Sequence, residues 1–261
     1  MAVIHASESQ HWYGRDGLPM YDIVGANGKM RPVTLRDARK LSLVPGVSTI
    51  LGCADKPGLT LWKIEQAIMA ALTLPRIDGE SSDSFVARVR VDAKEQAKKA
   101  AERGTAIHAA IQGWFEEHYH DPVQDPYVRG ALDQVGAWYP DWAWEAEQSF
   151  AHPLGFGGKV DLSHCAAAFV LDFKTKEFSD QETLKTWDEH AMQLAAYREG
   201  LKIPNARCSI CYVSVTNPGL SRLIEIPEEE LQRGWECFVY LLGYWKAKNR
   251  FNPALQEQKT A

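Results

Sequence analysis

The run Val170-Leu171-Asp172-Phe173-Lys174-Thr175 restricts the fold more than any other part of the chain. Apolar residues surround its two charges, so it reads as an internal β-strand. Strand alternation then puts Asp172 and Lys174 on one face. A carboxylate and an ammonium beside a core must be paired or bound to something. Taken alone, an ordinary Asp–Lys ion pair at a strand end accounts for them.

The neighbouring pattern places this strand in an α/β core with one mainly buried sheet. Segments 142–151, 158–164 and 168–174 carry apolar residues at strand spacing, and their short connections imply an antiparallel meander. A helix over 182–201, a strand over 207–216, a short partner at 221–226 and a helix over 227–249 follow. Upstream, a helical pattern runs from about Ser84 to His118. Gly104 interrupts it, which suggests two helices in series, and a further helix covers 127–138. Residues 1–83 read as an N-terminal extension packed on a core of residues 84–261. The extension holds short strands or a hairpin within 11–33, a helix over 35–40 capped by Thr34, a turn capped by Ser48 or Thr49, and an apolar helix over 59–72.

Composition sets the class. The chain has 261 residues, 45% hydrophobic and 24% charged, which suits one α/β domain with decorations. No apolar run approaches the ~20 residues that span a bilayer, and MAVIHASESQHW lacks the basic and apolar parts of a leader. Five cysteines at irregular spacing argue against a disulfide framework and for a reducing, cytoplasmic setting. A net charge of −5 excludes a surface coated in positive charge but allows a local basic groove.

A second carboxylate changes the reading of Asp172. Asp161 follows Gly157-Gly158-Lys159-Val160 on the preceding strand, one short turn away. Adjacent antiparallel strands can bring both carboxylates to one edge, where they repel unless a cation intervenes. A divalent metal with oxygen ligands resolves that conflict. On the next helix Gln193 and Tyr197 are four apart and share a face. Upstream, Gly104 lies one turn before His108 in Gly104-Thr105-Ala106-Ile107-His108. Singly, the first pair reads as helix packing and the histidine as a buried side chain bonded to a carbonyl.

Jointly and in this order, Gly-Thr-x-x-His, a Gly-rich turn into Asp, Asp-x-Lys and Gln-x-x-x-Tyr resemble the PD-(D/E)XK nuclease superfamily in its RecB-like exonuclease branch. The matched core covers about residues 84–216, roughly half the chain. The segment Val44-Pro45-Gly46-Val47-Ser48-Thr49-Ile50-Leu51, then Lys56-Pro57-Gly58-Leu59 and Trp62, looks like the N-terminal region of phage and mitochondrial genome maintenance exonucleases. The resemblance implies a restriction-endonuclease-like core: helix, three-stranded antiparallel meander, helix, strand. It implies His108, Asp161, Asp172 and the Phe173 carbonyl as metal ligands, with Lys174 orienting water or stabilising the phosphate. Gln193 and Tyr197 would support the site and touch the nucleic-acid backbone. A first-strand acid is also implied; Glu145 and Glu147 both qualify, and Glu147 is preferred. Asp172 fills the acidic position before x-Lys, and the proline of the superfamily's name is not present.

The expected activity is therefore metal-dependent DNA hydrolysis with Mg²⁺ or Mn²⁺. The expected substrate is single-stranded DNA or DNA ends, in company with recombination or replication proteins in the cytoplasm of a bacterial or phage-infected cell, with no membrane partner. The two carboxylates should hold the Lys174 pKa up, making it an electrostatic stabiliser rather than a base. A structure-specific endonuclease and a catalytically silent nucleic-acid-binding module are the alternatives. Arg88, Arg90, Lys94, Lys98, Lys99 and Arg103 form a net-basic helix face, readable as solvated surface or as a wall that tracks the DNA backbone towards His108. Trp62 and Trp114 are candidate stacking platforms for unpaired bases. The segment 44–51 and the 59–72 helix are expected to roof the site. An iron–sulfur reading of Cys53, Cys208, Cys211 and Cys237 fails on spacing, since Cys208 and Cys211 fall on opposite faces of a strand. His118, His120 and Asp121 read as solvated residues at a helix end.

Overall fold

The computed structural model describes residues 11–254 apart from His120 and Asp141. Residues 1–10 and 255–261 lie outside that range. The fold is mixed α/β. A five-stranded sheet runs in the order β5 (Glu145–His152), β6 (Phe156–His164), β7 (Phe169–Lys176), β8 (Arg207–Ser214) and β9 (Ser221–Ile226). The first three strands form the expected antiparallel meander. β7 and β8 are parallel, joined across one face by α6 (Asp188–Gly200), and β9 returns antiparallel to β8.

The sheet separates two cores. Val170, Cys208, Ile210 and Tyr212 face α6 and α7 (Glu228–Asn249). Leu171, Phe173, Cys211 and Val213 face α4 (Ser82–Glu117) and α5 (Asp125–Trp138). Cys208 and Cys211 thus lie on opposite faces, both buried. Alternation from Val170 puts Asp172 and Lys174 on the α6 face.

The extension holds β1 (Trp12–Tyr13), β2 (Asp22–Val24), β3 (Met30–Pro32), α1 (Leu35–Leu41), β4 (Val44–Pro45), α2 (Val47–Leu51) and α3 (Pro57–Thr73). β1 pairs with β4, and β2 with β3. Thr34 caps α1 with Asp37 completing a capping box. Trp12, Val47 and Ile50 share a core with Phe156 and Trp245, so the extension packs on the rest of the chain.

Four expectations change. α4 is one helix through Gly104, because that glycine faces β7: a Cβ there would stand 2.8 Å from Thr175 Oγ1. The glycine serves helix–sheet approach rather than a break. α6 begins at Asp188, six residues after the expected start. Arg222 instead binds the Glu182 carbonyl and Asp180 of the preceding stretch, holding it out of the helix. The first meander strand begins at Glu145, since Trp142 and Trp144 pack with Tyr139 and Phe169. The N-cap of α2 is Gly46, not Ser48 or Thr49; Thr49 Oγ1 accepts the His11 N–H at 3.0 Å.

Candidate active site

The site opens where two strands part. β6 and β7 pair as far as Leu162 and Leu171 and then diverge. The next residues, Asp161 and Asp172, stand on either side of the gap. The Phe173 N–H, released from the ladder, donates to Asp161 Oδ2 at 2.8 Å. Asp161 is also opposite Glu147, whose neighbours pair as Ala146 with Leu162 and Gln148 with Val160. Glu147 has φ +54°, in the left-handed region. Val160 and Leu162 have the same parity yet enter different cores, as do Phe150 and Ala146. The hairpin turns over at Glu147 and Asp161, which points Asp161 to the junction of the two faces.

α6 closes the other side. Lys174 Nζ lies 2.5 Å from Asp172 Oδ2 and donates to Gln193 Oε1 at 3.0 Å. Gln193 Nε2 donates to Asp172 Oδ1 at 3.0 Å and to the Tyr197 hydroxyl at 2.7 Å. One amide therefore ties the acid and the lysine together, with Tyr197 one turn further on. From α4, His108 Nδ1 stands 3.8 Å from Asp161 Oδ2. Lys159 pairs with Glu147. His108, Asp161, Asp172, Lys174, Gln193 and Tyr197 line a single cleft of about 230 Å³. Glu147 and Phe173 line a smaller recess that shares His108 and Asp161 with it.

Burial, reinforced by the charge of Asp172, raises the Asp161 carboxyl to about 8. Burial opposes the Lys174 ammonium, but Asp172 and Asp161 outweigh it and raise its pKa. His108 is lowered to about 4 by burial and by Lys174, so its imidazole is neutral at pH 7, the form that ligates metals. Burial raises Glu147 despite Lys159, and holds the Tyr197 hydroxyl well above its usual range with help from Asp172 and Asp161.

Among the described residues, no group of three or more His, Cys, Asp or Glu side chains is arranged to hold a metal ion. The reason is visible: Lys174 takes Asp172, and Asp161 accepts from the backbone. The donor chemistry nonetheless suits a hard cation. Asp172 Oδ2 and Glu147 Oε2 are buried carboxylate oxygens whose charge is met by the ammoniums of Lys174 and Lys159.

The basic face of α4 and Trp62 do not line this cleft. Arg88 binds Glu80 and the Pro75 carbonyl. Arg103 binds the Tyr127 hydroxyl at 2.6 Å and the Val215 carbonyl. Lys98 and Lys99 pair with Glu102 and Glu95, and Lys94 is exposed. Trp62, on α3, is half-buried. α3 packs along α4 and gives the cleft no lining residue, whereas Val47 and Ser48 of the 44–51 segment border it. Glu145 is exposed and binds Gln148, leaving Glu147 as the first-strand acid at the site.

Sequence reading missed Lys159, Tyr13 and Tyr21 as cleft residues. Lys159 was within reach, because Lys159-Val160-Asp161 repeats the i, i+2 logic of Asp172 and Lys174. The tyrosines arrive through long-range docking, with Gly46 bridged to Gly157 and a Cβ at Gly157 only 2.8 Å from Tyr13 Cβ.

No protein-family model and no curated protein matches the chain. Among solved structures, the one titled "Crystal structure of SSO0001" aligns at TM-score 0.32 and 14% identity, over 70% of this chain and 86% of that one. A likeness that low carries no argument about fold or chemistry. No helix among the described residues is long and apolar enough to cross a membrane.

Proposed function

We propose that the chain is a metal-dependent deoxyribonuclease with a restriction-endonuclease-like PD-(D/E)XK core of the RecB-like type, acting as an exonuclease on single strands or free DNA ends. The observation that carries this reading is the convergence of Asp161, Asp172, Lys174 and Gln193, from three successive elements, on one cleft. A decayed, silent module would be expected to lose at least one of them. Asp161, Asp172, the Phe173 carbonyl and His108 would hold Mg²⁺ or Mn²⁺, oxygen donors suiting the first and an imidazole the second. Such a cation supplies an activated water and offsets charge on the scissile phosphate.

The chain's own residues set the remaining chemistry. Lys174 keeps its proton between two carboxylates, so it stabilises negative charge growing on the phosphate rather than acting as a base. Gln193 fixes that ammonium relative to Asp172, and Tyr197 fixes Gln193. Neutral His108 donates no competing positive charge at pH 7. Val47 and Ser48 border the cleft on its extension side. This activity fits the cytoplasm of a bacterial or phage-infected cell, beside recombination or replication proteins.

The exonuclease assignment is tested with linear and covalently closed single strands of one sequence in Mg²⁺ or Mn²⁺. Linear strands should shorten from an end while circles persist. Nicking of the circle at the linear rate would make the protein an endonuclease.

A further inference from the structure

Half of the cleft wall takes no part in the chemistry above. His11, Tyr13, Tyr21 and Ser48 of the extension, with Lys159 of β6, line the same opening as Asp161, Asp172 and Lys174. The rings of His11 and Tyr21 stack with centroids 4.6 Å apart and planes 29° from parallel. Tyr13 meets Tyr21 edge-on at 5.8 Å, and their hydroxyls hydrogen-bond at 3.0 Å. The His11 backbone is held on both sides: its N–H by Thr49 Oγ1, its carbonyl by the Gly46 N–H at 2.7 Å. Yet His11 is exposed and Tyr21 only half-buried. The stack is anchored from behind and open in front, so little ordering remains to oppose a ligand that extends it.

We propose that the His11–Tyr21 stack is a base-binding subsite that takes the terminal base of a DNA single strand whose neighbouring phosphate lies at Asp161, Asp172 and Lys174. It rests on the nuclease reading and adds the substrate position that makes the enzyme end-directed. Three features on the cleft wall match the three parts of a nucleotide. The ring faces suit a base of any sequence. The hydroxyls of Tyr13, Tyr21 and Ser48 suit a sugar. Lys159, paired with Glu147 on the same wall, brings the positive charge that suits a phosphate. The cleft, at about 230 Å³, is smaller than the ~300–1,000 Å³ of sites for drug-sized ligands. A cleft of this size suits one nucleotide unit better than a base pair. The stacking platform within the cleft is then Tyr21 with His11, since Trp62 does not line it.

The competing explanation is that the rings only fasten the extension to the sheet. A binding cycle separates the two. Asp172→Asn protein, which should bind without cutting, is titrated in Mg²⁺ with an oligothymidine labelled mid-chain. The same strand is also used with its terminal base removed at the 5′ or the 3′ end. Removing the base at one end should weaken binding ~10-fold. With Tyr21→Leu added, intact and abasic strands should bind alike, and Tyr21→Phe should restore the difference. Melting curves accompany each protein; if Tyr21→Leu does not fold, His11→Ala, at an exposed ring, gives the same comparison. Equal weakening of intact and abasic strands, or no effect of base removal at either end, would overturn the subsite and leave the nuclease reading standing. Failure of the Asp172→Asn protein and the wild type to bind any single strand would overturn both.

Discussion

Replacing Asp161 with Asn should make the metal-free protein more stable at neutral and alkaline pH. Burial and the charge of Asp172 carry the Asp161 carboxyl from 3.8 to about 8. Between those values the folded chain keeps a proton that the unfolded chain has released, so stability falls as pH rises. One such proton is worth about 1.4 kcal/mol per pH unit, a ceiling of ~4 kcal/mol between pH 5 and pH 8. Water reaches this carboxylate, whose side chain is 22% exposed, so about half the ceiling, ~2 kcal/mol, is expected. Asn carries no charge, and its Oδ1 can still accept the Phe173 N–H. Urea unfolding in chelator at several pH values, for wild type and variant, measures the difference. The variant's advantage should grow steadily towards pH 8. Parallel curves, or a wild type that gains on the variant as pH rises, would show an ordinary ionised Asp161 and refute the argument.

Other substitutions separate the roles of the cleft residues. Lys174→Ala should cut the hydrolysis rate at least ~10³-fold with a cooperative melt retained, as expected for a group acting on transition-state charge; single-turnover assays beside melting curves check this. Gln193→Ala and Tyr197→Phe should each cost ~10–100-fold while leaving DNA binding within a few fold, since they position Lys174 and Asp172 rather than touch the reacting atoms. Gly157→Ala should destabilise by ~1–3 kcal/mol, because its Cβ would meet Tyr13 and the Phe150 carbonyl at 2.8 Å. Limited proteolysis of that variant should release the extension first, and unchanged protection would contradict the docking described.

Much of the site was legible in local spacing. Asp172 and Lys174 obey strand alternation, and Gln193 and Tyr197 obey helical spacing, so their shared faces follow from the sequence. Asp161 was legible from the short turn that sets its strand beside Asp172. What escaped depends on contacts between distant segments. Tyr13 and Tyr21 reach the cleft only because the extension docks at Gly157. Arg88 and Arg103 look like free cations in the α4 pattern, but Glu80 and Tyr127 hold them; periodicity cannot tell a solvated cation from one already bound. The apolar pattern of α3 reads as a buried helix, whereas it lies along α4 with Leu61, Ile64, Ile68 and Leu72 exposed. Glu147 was preferred over Glu145 from the sequence, but the reversal of the hairpin at a positive φ that carries it to the site is something no alternation rule anticipates.

Metal-dependent phosphodiester hydrolysis at the Asp161–Asp172–Lys174 cleft is tested most directly by single-turnover degradation of an end-labelled single strand. Three reactions suffice: wild type with Mg²⁺ or Mn²⁺, wild type stripped of metal and held in chelator, and folded Asp172→Asn protein with metal. Cleavage should occur in the first alone, with the third slower by several orders of magnitude. Undiminished cleavage in chelator, or by the Asp172→Asn protein, would contradict the assignment.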